Sequence, residues 1–314
     1  MNKWTAELIP DQTGKIFIIT GANSGLGLES TRALARKRAT VIMACRNLEK
    51  GKRSLEKLRR EIPDALLDLQ EMDLANLESI RNFVTYIFST YKKIDVLINN
   101  AGIMATPFAK TKDGFEIQFG INHLGHFVLT GLLFELLLKA PGSRVVNVSS
   151  MAARRASIDF DNLMGERSYV PWKAYGQTKL ANLLFTFELQ RRLETGNNNS
   201  VSIAAHPGGS ATNLHKAIQM NPVVKSIYNF LIRYFMQSAA KGALPQLYAA
   251  TSPEAVPGDY YGPDGFNEIA GYPAKAHIPV KAKDEQLAEK LWQVSEKLTG
   301  INYEFNPIIH KTDN

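Results

Sequence analysis

Two tyrosines in the stretch SYVPWKAYGQTKLANLLF, residues 168 to 185, are each followed four residues later by a lysine: Tyr169 by Lys173, and Tyr175 by Lys179. A phenol beside an ammonium can serve as an acid or base near neutral pH, because the positive charge favours the phenolate. Residues four apart share a face of a helix, so a helix covering either pair would bring its members together. Pro171 interrupts the first pair and biases Val170 away from helical angles, so Tyr169 and Lys173 straddle a helix start. The second pair lies in WKAYGQTKLANLLFTFELQRRL, which has no proline and keeps a helical pattern. Gly176 lowers propensity there without breaking the helix. Tyr175 and Lys179 are therefore expected to lie one above the other, and Tyr169 is expected to be dispensable. The spacing arises easily by chance, so an ordinary surface helix pair would read the same way.

The elements that must hold such a pair are legible as an alternation. KIFIIT (15 to 20), TVIMAC (40 to 45), LLDLQEMD (66 to 73), DVLIN (95 to 99), RVVNVS (144 to 149) and VSIAAH (201 to 206) read as strands. Helical stretches lie between them, near 25 to 38, 47 to 61, 76 to 91, 114 to 138 and 173 to 195. Several strands are continuously apolar, as strands buried on both faces are. The pattern predicts an α/β fold with a doubly wound parallel sheet, Rossmann-type, in a single domain spanning residues 1 to 314. A cofactor-binding half, about 14 to 150, would precede a catalytic and substrate half, about 151 to 314. Beyond His206 the alternation breaks: a bulky stretch, a helix near 239 to 251, a Gly/Pro-rich stretch near 257 to 279 and a last helix near 284 to 299.

The first strand runs into TGANSGLG, where Gly21, Gly25 and Gly27 precede a helical pattern. Glycine lets the backbone turn tightly and approach a pyrophosphate, and the following helix start offers free N–H groups and a positive dipole. The contact residues expected on this turn are Gly21, Asn23, Ser24, Gly25, Leu26 and Gly27. At the end of the second strand, an acidic residue would bind a ribose 2′-hydroxyl. Cys45 and Arg46 stand there instead, and a guanidinium matches a 2′-phosphate by charge and by its forked donors, which favours NADP(H) over NAD.

Together the motifs resemble the short-chain dehydrogenase/reductase family. TGANSGLG, NNAG (99 to 102), VNVSS (146 to 150), YGQTK (175 to 179) and HPG (206 to 208) occur in that family's order, and the likeness covers essentially the whole chain. CRN, INHLGHF and KLANLLFTFELQRRL bring it closest to the retinol dehydrogenase-like branch. The resemblance implies that Tyr175 protonates a carbonyl oxygen during reduction. It also implies that Lys179 lowers the tyrosine's pKa and binds the nicotinamide ribose, that Ser150 donates to the reacting oxygen, and that Asn122 helps hold a water-linked proton path behind Lys179. Ser149 competes with Ser150, and because neighbouring strand residues face opposite ways only one of them can serve. Asp73 and Leu74 fall where the family contacts adenine. Asn99, Ala101 and Gly102 would line the cofactor crevice, and Pro207, Gly208 and Thr212 would receive the nicotinamide amide. One departure is Arg38, which stands where the family usually ends a helix with glycine.

Composition narrows the rest. Cys45 is the only cysteine, which excludes an intrachain disulfide and a multi-cysteine metal site, and no His, Cys or carboxylate spacing calls for a metal. The opening MNKWTAELIPDQTGK lacks a signal-peptide stretch, and the most apolar run, residues 126 to 139, is too short to span a bilayer. A cytoplasmic protein without a transmembrane segment is expected, with peripheral membrane contact and homo-oligomerisation left open. The net charge of +7 is concentrated in residues 31 to 60, read mainly as a solvated helix face and not as a nucleic-acid surface. The function expected is NADP(H)-dependent interconversion of a small-molecule carbonyl and its alcohol. A non-catalytic NADP-sensing protein on the same fold is the alternative. The apolar stretch 213 to 236 is expected to form a substrate-lid extension over an apolar aldehyde or ketone.

Overall fold

The computed structural model describes residues 3–209 and 237–305. Among these residues, eight strands form one sheet in the order β3-β2-β1-β4-β5-β6-β7-β8. The strands are β1 (Ile16–Thr20), β2 (Thr40–Cys45), β3 (Leu66–Glu71), β4 (Val96–Asn99), β5 (Arg144–Val148), β6 (Val201–Ala205), β7 (Tyr260–Pro263) and β8 (Pro273–Lys275). All neighbours are parallel except β7 and β8, which pair antiparallel at the sheet edge. The order reverses direction between β1 and β4, the place where an open α/β sheet leaves a crevice beyond its strand ends.

Helices α1 (Gly25–Ala35), α2 (Leu48–Glu61) and α3 (Leu77–Thr90) follow the first three strands. Asn47 caps α2 by accepting from the Lys50 N–H, and Asn76 caps α3 through the Glu78 N–H, each satisfying a donor that the helix start leaves free. Pro171 opens the long helix α7 (Pro171–Thr195) at a position where a missing N–H costs nothing, with Val170 extended before it. The chain ends its described part with α8 (Ala239–Gly242), α9 (Leu244–Thr251) and α10 (Glu285–Thr299), the last closed by Gly300 at φ 69°.

Three elements depart from the sequence expectation. The stretch 114 to 138 is not one helix. Ile117–Phe119 (α4) passes into a π-helical turn, Gly120–Leu124, then α5 (Gly125–Leu132) and α6 (Phe134–Leu138). Its glycines allow close packing: a Cβ on Gly125 would lie 2.8 Å from the Leu74 carbonyl, and one on Gly131 2.6 Å from Ile301. β7 and β8 lie inside the Gly/Pro-rich stretch that read as irregular; prolines are tolerated in them because they sit near the sheet edge. β3 stops at Glu71, so Asp73 lies in the loop beyond it.

Candidate active site

The sequence brings a cleft of about 710 Å³ to the reversal point of the sheet. Thr20 shapes its floor. Its hydroxyl accepts from the N–H groups of Asn100 and Ala101 at 2.9 and 2.8 Å and meets His126 Nε2 at 2.9 Å, tying the end of β1 to the chain leaving β4. The other His126 nitrogen, Nδ1, lies 3.1 Å from the Asn122 carbonyl, so the neutral ring donates there and accepts from Thr20. Burial holds His126 at about 4, well below the ordinary imidazole range, which keeps that arrangement uncharged at neutral pH.

The glycine-rich turn borders the cleft through Gly21, Asn23, Ser24, Gly25 and Leu26. Gly21 has φ 68°, and a Cβ on it would come within 3.2 Å of Ala101. Gly27 is absent from the lining: a Cβ there would lie 2.4 Å from the Gly21 carbonyl, so its role is to let α1 pack on the turn. Cys45 lies under the turn, where its sulfur accepts from the N–H groups of Ala22 and Asn23, and burial pushes its thiol up to about 12. Arg46 lines the cleft, and it is joined by Lys50 and Arg53 from α2. These two cations were assigned to a solvated helix face. Only their spacing of four and seven residues from Arg46 hinted that they share its side. Ser54, also lining, donates to the Asn23 carbonyl at 2.9 Å and fastens α2 to the turn.

On the far wall, Asp73 and Leu74 line the cleft, with Asp73 Oδ1 accepting from the Ala75 N–H at 2.9 Å. Ala101 and Gly102 line it too. Asn99 does not: it is buried, and its amide donates to Thr130 and Asn147 at 3.0 and 2.8 Å. Strand alternation sends Asn99 into the layer between sheet and helices, and the next residue, Asn100, lines the cleft instead.

Gly102 is where the cleft meets α7. A Cβ on it would lie 3.1 Å from Asn122 Oδ1 and 3.6 Å from Lys179 Nζ. The Asn122 side chain is fully engaged: its oxygen accepts from Ile103 N–H, and its nitrogen donates to the Ile103 carbonyl and to Thr178. Lys179 is 4% exposed, and its ammonium donates to the Val148 carbonyl at 2.9 Å. Nζ stands 5.7 Å from the centre of the Tyr175 ring, as the helical spacing of the pair required. Burial lowers Lys179 to about 8 and raises Tyr175 to about 12, while a hydrogen bond from Ser150 favours the phenolate. The two serines part company. Ser149 donates to the Lys179 carbonyl at 2.7 Å and fixes β5 to α7, whereas Ser150 reaches Tyr175 and accepts from the Ala152 N–H.

Beyond β6, Gly208 has φ 63°, and a Cβ on it would lie 2.4 Å from the Ile269 carbonyl. The Pro207 carbonyl accepts from Gln237 at 2.8 Å. Next to them is a group that sequence reasoning did not assemble: His206 Nε2 and Arg154 both meet the Glu268 carboxylate, at 2.8 and 2.5 Å, and the His206 bond, the His277 N–H and the nearby Arg154 charge together outweigh burial to hold that carboxyl at about 2. Thr212 and the stretch 213 to 236 lie outside the described residues. No three metal-ligating side chains gather among the described residues, and none of the described helices is long and apolar enough to cross a membrane.

A parallel sheet with a glycine-rich first turn, a cleft at the reversal point and a buried Tyr–Lys pair beside it define a dinucleotide-dependent oxidoreductase fold. The family model for short chain dehydrogenases matches residues 15–222, and the chain belongs to that family, in its retinol dehydrogenase-like branch. It is 43% identical over 303 residues to human (Homo sapiens) retinol dehydrogenase 14, with 92% of this chain and 87% of that protein covered. It is 40% identical over 293 residues to human retinol dehydrogenase 13, covering 92% and 85%. A solved structure of an uncharacterised protein from Mycobacterium Paratuberculosis matches with a TM-score of 0.80 at 41% identity, covering 96% of this chain and 100% of that one.

Proposed function

We propose that this oxidoreductase uses NADP(H) to interconvert an apolar aldehyde or ketone with its alcohol, and that Tyr175, Lys179 and Ser150 carry the proton chemistry. The observation that carries the reading is the buried Lys179 ammonium, within 3.6 Å of where a Cβ on Gly102 would enter the cleft and one helical turn from Tyr175. The residues suit a phosphorylated dinucleotide. A left-handed glycine turn and the start of α1 offer N–H groups to a pyrophosphate, while Arg46, Lys50 and Arg53 converge where β2 ends. Lys50 and Arg53 extend the charge that Arg46 alone would present to a 2′-phosphate. When bound, the nicotinamide supplies or accepts the hydride.

In reduction, Tyr175 gives its proton to the substrate oxygen, and Ser150 donates a hydrogen bond to that oxygen as negative charge develops on it. Burial makes Tyr175 a weak acid, and the Lys179 ammonium one helical turn away would favour the phenolate formed as the proton leaves. An ammonium has three donors, and Val148 takes one, so Lys179 can also hold the nicotinamide ribose. Asn122 acts by anchoring Ile103 and Thr178, which keep the cleft wall and α7 in register. Pro207 and Gly208 would receive the nicotinamide amide.

An apolar substrate accords with the retinol in the relatives' names, retinol being a long apolar alcohol. The test is a series of linear aldehydes with NADPH oxidation followed. Each added methylene buried is worth about 0.8 kcal/mol, so kcat/KM should rise up to about fourfold per carbon until the pocket is full. Equal rates for short polar carbonyls would remove the apolar substrate class, and no turnover with any carbonyl or alcohol would remove the enzyme reading.

A further inference from the structure

Tyr169, the member of the first pair that seemed expendable by its spacing, is held by polar groups on two other segments. Its hydroxyl lies 2.9 Å from the Thr106 carbonyl and 3.1 Å from Glu116 Oε1, and it accepts from Gln118 Nε2 at 2.8 Å. Gln118 is fully buried. Its Oε1 accepts from the Ala105 N–H at 2.8 Å, and its Nε2 also donates to the Pro171 carbonyl at 3.0 Å, so both ends of the amide are fixed by their partners. Glu116, also buried, accepts from the N–H groups of Gln118 and Phe119 at 2.9 and 2.7 Å. The cluster therefore joins the chain after β4, the start of α4 and the first residue of α7.

What it holds in place is strained. Ala105 has φ 49°, a left-handed conformation that a residue with a Cβ adopts only when its surroundings impose it. Met104, Ala105 and Tyr175 form one buried apolar cluster with Ala152 packed on it, and Met104 also lines the cofactor cleft. The strained loop is thus the wall against which the Tyr175 ring rests.

We propose that Tyr169 is a positioning residue: through Gln118 its hydroxyl keeps the Met104–Ala105 wall in its left-handed form against Tyr175, and so fixes the proton donor relative to the cofactor. This rests on the role of Tyr175 proposed above. It reverses the expectation that Tyr169 is dispensable.

The experiment is Tyr169→Phe in the full chain. A misplacement of about an ångström costs on the order of a hundredfold, so kcat should fall by about ten- to a hundredfold while the KM for NADPH stays within about twofold. Exchange of the Ala105 amide should quicken, because its acceptor, Gln118, loses one of the two partners that hold its amide nitrogen. Adding Ala105→Gly should restore much of kcat, since glycine holds a left-handed angle without a clamp. Unchanged kcat despite faster exchange would overturn the proposal, and so would unchanged exchange. If Tyr169→Phe fails to fold, Ala105→Val is the second arm. A β-branched side chain opposes the left-handed form, and native kcat in that variant would likewise overturn it. A wild-type chain with no turnover at all would refute the enzyme reading instead, and Ala105 exchange would still decide whether Tyr169 holds the wall.

Discussion

Tyr169 with Lys173 and Tyr175 with Lys179 have the same residue types at the same spacing, and the fold treats them in opposite ways. Lys173 stands in water, 3.7 Å from a less accessible Asp159, with side-chain exposures of 61% and 38%. Tyr169 turns away from it, toward Glu116 and Gln118, and burial pushes its phenol up to about 12. Lys179 is desolvated beside the Tyr175 ring, so its charge is felt at short range through little solvent. The difference begins with Pro171, which starts α7 between the members of the first pair and inside neither member's reach. A Tyr-x-x-x-Lys spacing becomes chemistry only where one helix covers it and buries the ammonium.

The largest expected effect breaks the comparison if it is absent. Tyr175→Phe should lower kcat by about a hundred- to ten-thousandfold, the usual worth of a positioned proton donor, with NADPH binding retained in a fluorescence titration. Near-native turnover would mean that the second pair is no more catalytic than the first.

Lys179→Met sharpens the contrast in two readouts. Turnover should be lost, yet the cofactor-free protein should become more stable. Burial lowers the folded pKa of Lys179 to about 8 from an ordinary 10.5, so the buried charge is fully penalised below pH 8. Between those values the folded state binds fewer protons than the unfolded one, and wild-type stability recovers as pH rises. The gain in the variant should therefore reach on the order of 3 kcal/mol at pH 7 and shrink toward pH 10.5, followed by chemical denaturation. The Val148 carbonyl, left by Lys179, keeps the Asn182 amide at 3.2 Å. In the wild type, carbonyl reduction should decline as pH rises through about 8, where the Tyr175–Lys179 pair begins to lose its proton.

A similar contrast of a cleft-lining and a water-facing cation recurs around the start of α2. Arg46→Ala should weaken NADPH by about ten- to a hundredfold, the loss of a charge-assisted pair worth about 1.5–3 kcal/mol, and leave NADH nearly unchanged. Lys52, outside the cleft lining and paired with Glu49, should read neither cofactor. Equal losses of both cofactors in Arg46→Ala would show that the phosphate is not what Arg46 meets.

These contrasts also mark where the sequence stops being legible. Most of strands β1 to β6 announce themselves as apolar runs, β3 with its Asp68, Gln70 and Glu71 being the exception, and the glycine turn and the second pair follow from spacing. Lys50 and Arg53 could not be told from Lys52 and Lys57, because a basic helix shows which residues share a face but not what faces them. Ser149 and Ser150 separate only through the carbonyl of Lys179 and the ring of Tyr175, both on another element. Asn99 and Asn100 exchange places for the same reason, since strand phase was set by β5 and Thr20. The contacts of Tyr169 were not legible because its partner Gln118 is 51 residues away. Arg38 was legible as a departure, and its φ of 65° shows the left-handed turn that glycine would have taken.

The smallest effect is the sharpest control. Lys173→Met makes the same chemical change as Lys179→Met, on the same helix, six residues earlier. Its ammonium keeps its hydration, so removing it relieves no desolvation. Its pair with Asp159 is long and exposed, and such pairs contribute at most a few tenths of a kcal/mol once solvent and side-chain freedom are counted. Stability should stay within about 0.5 kcal/mol of wild type at both pH 7 and pH 10, and turnover within about twofold. A stability gain at pH 7 matching that of Lys179→Met would show that loss of any lysine from this helix is stabilising, and burial of Lys179 would no longer explain its behaviour. A large loss of turnover would return the first pair to the chemistry, through its lysine and not through its tyrosine.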